Sequence, residues 1–158
     1  MSLLPLFQWF YDSSLGETIR DSTWLFPVIE ALHLLGLALV AGTVLLVDLR
    51  LLGVGLRQQP VAQLWATARP LLLGALVLMF VSGTLLFLSE SIKAYYSFAF
   101  WIKMTSLLLV LVFTFTVRRH VIHNGLTVDR PQLARWTAVV SLTLWFGVAW
   151  GGRWIGFS

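Results

Sequence analysis

The stretch WLFPVIEALHLLGLALVAGTVLLV, residues 24–47, decides the fold. Only Glu30 and His33 interrupt it with an ionisable group. A helix rises about 1.5 Å per residue, so about 20 apolar residues cross the roughly 30 Å hydrocarbon core of a bilayer. A soluble amphipathic helix would place a polar residue every three or four positions, and this run does not. It reads as a transmembrane helix. Working outward, Pro70 suits the first turn of a second span at 71–88. A third span is expected at 98–117, with Lys103 near its start and Arg118, Arg119 and His120 at its end, and a fourth at 134–154. Asp48 and Arg50 are expected to close the first span, and Ser89 to Phe98 to form a polar, aromatic connection containing Glu90, Lys93, Tyr95 and Tyr96.

Residues 1–23 mix apolar and polar character, with Leu3, Leu6, Phe7, Trp9 and Phe10 set among Gln8, Asp12, Glu17 and Arg20. That pattern predicts an amphipathic helix lying in the membrane interface. No basic residue precedes the apolar ones, so a signal peptide is not expected. The predicted architecture is all-α: an integral membrane four-helix bundle with an N-terminal interfacial helix, forming a single domain over residues 1–158.

Composition agrees. Of the 158 residues, 58% are hydrophobic and only 11% charged, against roughly 25% charged in an average soluble domain. Several of the 8 tryptophans stand at the ends of apolar runs, where an amphipathic ring fits the headgroup level. Cysteine is absent, which excludes disulfides, thiolate metal sites and iron–sulfur clusters. The net charge of +4 is concentrated in short loops and reads as a topology signal, not as a nucleic-acid surface. The loops at 48–69 and 118–135 hold Arg50, Arg57, Arg69, Arg118, Arg119, Arg130 and Arg135, against Arg20, Lys93, Lys103 and Arg153 on the other side. By the positive-inside rule the arginine-rich loops face the cytoplasm, and both termini are extracytoplasmic in a bacterial inner membrane.

Ionisable groups inside a membrane need partners or a wet cavity. Counted from the outer end, Glu30 lies roughly 9 Å deep and His33 roughly 13 Å deep, with Lys103 somewhat shallower. Glu30 and Lys103 are therefore the expected ion pair, and Glu30 stands three residues before His33 on the same helix. Met79 also falls at a depth of roughly 13 Å. Gly83, Gly147 and Gly151 lie in the outer half and could make room for a flat macrocycle, with Lys103 and Arg153 placed for its carboxylates. An outer haem b site with His33 as axial ligand is thus expected. No second histidine lies at that depth, so the sixth ligand would be Met79, water or a residue of a second copy.

His120 and His123 stand three residues apart at the other end of the third span, a spacing that suits a metal or a second haem but also an ordinary solvated rim. Gly147 and Gly151 form a GxxxG pair for close helix packing, within the chain or between copies. No nucleophile elbow, phosphate loop or dinucleotide fingerprint is present, so any chemistry is expected to be redox and not hydrolysis or group transfer.

PVIEALHLLGLAL at 27–39, VDLRLLG at 47–53 and FAFWIKMTSLLLVLVF at 98–113 resemble a family of uncharacterised bacterial four-span membrane proteins. More distantly, the histidine in an early span and the phenylalanine-rich approach to Lys103 are similar to copper-resistance D-type proteins and to di-haem b-type membrane cytochromes. The resemblance implies His33 as a haem or metal ligand, with His120 or His123 as further candidates. Two functional readings follow: a membrane b-type haem protein in electron transfer, oligomeric and served by a redox partner in the membrane or periplasm, or a copper or small-solute transporter using Glu30, His33, Met79 and Met104. A structural or assembly subunit is the third reading.

Overall fold

The structure, a computed structural model, describes residues 3–54 and 58–155. Among them there are helices and no strands. Four helical segments, Leu25–Leu52, Val61–Tyr96, Phe98–His123 and Pro131–Ile155, are long and apolar enough to cross a membrane. The chain is a multi-pass membrane protein of the four-helix type, and lipid is its solvent. Arg57, one of the arginines assigned to the basic loops, lies outside the described residues.

Two short helices, α1 (Leu4–Tyr11) and α2 (Ser14–Asp21), precede the first span. The single interfacial helix expected over 1–23 is broken because Ser13 caps α2, its hydroxyl accepting from the Gly16 N–H at 3.2 Å. The first span is α3 (Leu25–Leu52). Asp48 and Arg50 do not close it. It ends at Gly53, which adopts φ +79, and the Val54 N–H returns to the Leu49 carbonyl as in a Schellman cap.

The second span, α4 (Val61–Tyr96), is far longer than predicted. Pro70 sits inside it instead of opening it, as membrane helices tolerate where neighbouring groups satisfy the freed carbonyl. The expected polar connection at 89–98 is also mostly helical. Glu90 (φ -126, ψ 22) kinks α4 there, and the extended Ser97 separates α4 from α5 (Phe98–Phe113). A π-helical turn at Thr114–Arg118 follows, then α6 (Arg119–His123), α7 (Leu126–Asp129) and α8 (Pro131–Ile155).

Helix α3 lies between α4 and α8, and α5 packs chiefly on α8. Although consecutive, α4 and α5 hardly touch. The bundle is tightly packed at the arginine-rich end, where Val44, Val47, Leu51, Trp65, Leu72 and Ala138 belong to one buried cluster. At the termini end the space between α4 and α5 is capped by aromatic rings. Phe7 of α1 meets Phe87 at 5.3 Å and Tyr95 at 5.2 Å, and the Ser91 hydroxyl donates to the Phe7 carbonyl at 2.9 Å. The N-terminal segment is therefore docked on the extension of α4.

The GxxxG pair finds its partner within the chain. A Cβ on Gly147 would stand 2.8 Å from the Ser106 hydroxyl, and one on Gly151 would stand 2.9 Å from the Ala99 carbonyl and 3.0 Å from Lys103 Cβ. These glycines bring α8 against α5 and leave no room for a macrocycle. Gly42, by contrast, faces open space, with nothing within 4 Å of the place a Cβ would take. Gly151→Ala should therefore destabilise by about 1–3 kcal/mol through overpacking, while Gly42→Ala should be neutral or stabilise by about 0.5–1 kcal/mol. Thermal unfolding in detergent micelles measures both, and equal effects would refute this packing.

Candidate functional site

A cavity of about 470 Å³ occupies the space between α4 and α5, with α3 and α8 behind it. Helices α3 and α4 contribute His33, Met79 and Gly83 to its wall, and α5 and α8 contribute Lys103, Met104 and Trp145. The structure thus brings His33 and Met79, counted at one depth along the sequence, to the same cavity wall as Gly83 and the shallower Lys103. Its lining is overwhelmingly apolar, the character of a site for a lipid-soluble ligand held by few polar groups.

His33 is set by its neighbours. Gly83 gives the ring room against α4, since a Cβ there would stand 3.1 Å from His33 Cε1. The His33 Nδ1 atom lies 2.9 Å from the Ser82 hydroxyl, which itself donates to the Leu78 carbonyl at 2.6 Å. A hydroxyl has one proton to give, so Ser82 accepts from Nδ1–H. With the proton on Nδ1 the imidazole carries its lone pair on Nε2, and the Met79 backbone also lies within hydrogen-bond reach of the ring. A second partner that fixes tautomer and ring orientation is what a metal-ligating histidine ordinarily has. Met79 packs between the helices, its Sδ 3.2 Å from a Cβ placed on Gly36.

The expected Glu30–Lys103 pair does not form. Among the described residues the ion pair is Asp48–Arg118, and Glu30 is exposed. Ile29, Gly36 and Val40 define the buried face of α3, and Glu30 lies about 100° round from Ile29. Lys103 belongs to α5, which the cavity and α8 hold away from α3. Arg153 is exposed near the end of α8 and does not line the cavity. His120 and His123 are exposed at the arginine-rich end, with His120 Nδ1 3.0 Å from the Asn124 amide. Among the described residues, no group of three or more His, Asp or Glu side chains comes together as a metal site.

A family model matches residues 6–158. The chain belongs to the family of unknown function DUF6644. No curated protein matches it, and no solved structure does. The match takes in all four long helices of this DUF6644 member, so the cavity and the charge pair at the other end both lie within the family's own domain.

That charge pair went unread in the sequence. Asp48 and Arg118 are both 0% exposed, with Arg118 Nη2 2.9 Å from Asp48 Oδ1. Ser141 of α8 donates to Asp48 Oδ2 at 2.7 Å, and the guanidinium lies 5.2 Å from the ring centroid of Trp65 on α4. All four long helical segments meet there. The signal for Asp48 was present, since it continues the buried face of Val40, Val44 and Val47. Arg118→Leu should cost about 3–5 kcal/mol by leaving a lone buried carboxylate, whereas Asp48→Leu/Arg118→Leu should recover most of that loss. A double-mutant cycle in a reversible unfolding assay checks this, and additive losses would refute the coupling.

Proposed function

We propose that this chain is a membrane-embedded b-type haem protein in electron transfer, with His33 as an axial ligand. The observation that supports the reading is the Ser82 hydrogen bond: with the Ser82 proton given to Leu78, His33 would hold its own proton on Nδ1 and offer Nε2 to iron in an apolar cavity. Haem bound there would supply a one-electron carrier. Lys103, at the cavity wall, would meet a propionate, and Met79 or Met104 would offer a thioether to the metal. The apolar lining excludes water, which raises the worth of each of these contacts. In this reading the arginine-rich loops are cytoplasmic, both termini are extracytoplasmic in a bacterial inner membrane, and electrons pass to a partner in the membrane or periplasm. Exposed apolar faces leave room for a homo-oligomer.

A second reading rests on one specific feature. Met79, Met104 and His33 line the same cavity, and soft thioethers with an imidazole suit copper(I). The similarity to copper-resistance D-type proteins and di-haem b-type cytochromes belongs with these two proposals.

Detergent-purified protein should show a Soret band with reducible α and β bands. His33→Ala should abolish it, His120→Ala should leave it unchanged, and Ser82→Ala should weaken retention by about 10–100-fold as loss of a ligand's supporting partner does. A colourless protein carrying copper favours the second reading, and a His33→Ala variant with its full spectrum overturns the first. For sidedness, a C-terminal reporter should be active only outside the cytoplasm, and cytoplasmic activity would reverse the orientation.

A further inference from the structure

Helix α5 does not continue unbroken into the arginine-rich end. It passes through the π-helical turn at Thr114–Arg118, and that turn ends on the buried arginine. An α-helix advances about 100° per residue, so residues four apart drift by about 40°. Over Val110, Thr114 and Arg118 the drift would reach about 80°, and Arg118 would leave the buried face. The wider turn, closed by i→i+5 bonds, takes this drift back. Val110, Thr114 and Arg118 are all buried as a result. Beyond the turn, each residue stands where its predecessor would stand in an uninterrupted helix.

Besides Asp48, the face of Trp65 at 5.2 Å holds Arg118 inside. Its Nε and Nη1 have no hydrogen-bond partner among the described residues, and neither does the Thr114 hydroxyl beside it in the turn. The preceding residue, Val117, is apolar and exposed. Just beyond α6, Gly125 adopts φ +67, where the chain changes direction and a rotation can be absorbed.

We propose that residues 114–123 are a two-register switch: the Asp48–Arg118 pair holds the wide turn open, and loss of the pair closes it to α-helix. Closure rotates α6 by one residue's worth, about 100°. Val117 then takes the buried place of Arg118, which moves out toward the exposed Arg119. His120 takes the buried place of Val121, and Ile122 takes the exposed place of His123. The element has two discrete arrangements, and the ion pair chooses between them, as a bistable device requires.

The chain has no cysteine, so single cysteines report cleanly. His120→Cys and Ile122→Cys are made separately in the full-length protein and reacted with a water-soluble maleimide in detergent. In the otherwise native chain position 120 should react fast and position 122 slowly. Asp48→Asn should invert that order. Deleting exposed Thr116 removes the spare residue of the turn, and Asp48→Asn in that background should leave the native order in place. Asp48→Leu, which fills the site with an apolar side chain, carries the same two arms if Asp48→Asn does not fold. An unchanged order in the full-length variant overturns the proposal. So does inversion that persists in the Thr116 deletion, and so does fast labelling at both positions, which marks general loosening.

Discussion

Two charges taken out of water inside a membrane-spanning bundle are the constraint on which the arginine-rich end depends. Desolvating each ion costs several kcal/mol, and only a close partner with additional contacts offsets it. Asp48 has Arg118 at 2.9 Å and Ser141 at 2.7 Å, and Arg118 has the face of Trp65. These contacts come from α3, α8 and α4, so the position of each helix is fixed relative to one point. The α3 helix runs past Asp48 to Leu52, and the π-turn ends on Arg118, so both helices carry their charge to the same point.

The opposite end is organised by absence of contact. Gly147 and Gly151 draw α5 onto α8, and Gly36 and Gly83 draw α3 onto α4 through Met79 and His33. Two close helix pairs result, and the gap they leave between α4 and α5 is the cavity. The aromatic rings of Phe7, Phe87 and Trp101 roof it, which gives the docked N-terminal helix a role in shaping the site. Stability and ligand space are thus separated along the membrane normal, one end dense and apolar around a buried charge pair, the other open around a single oriented histidine.

Membership of DUF6644 assigns no chemistry to this arrangement. A four-helix membrane bundle hosts many activities, so the function has to be argued from His33 and its surroundings. The haem reading draws its weight from Ser82 and Gly83, residues whose effect is to orient an imidazole in an apolar space.

Much of this was legible in the residues alone. Run length and composition determined four membrane helices, because the apolar span a bilayer demands is a property of the chain and not of its packing. Depth counting put His33 and Met79 at one level, because rise per residue is the same in every α-helix. What failed was angular. The Glu30–Lys103 pairing assumed that equal depth means contact, but the buried face of α3 turns Glu30 outward and the order of helices around the bundle keeps α5 from α3. Pro70 read as a helix start because its local preference was taken alone, whereas a membrane helix can carry a proline in its interior. The Asp48–Arg118 pair needed a π-turn that breaks the 3.6-residue period from which faces are counted, so only the tertiary structure could decide it. Sequence sets where along a membrane helix a group lies, through a fixed rise, whereas which way it points depends on accumulated rotation and on the neighbour chosen by packing.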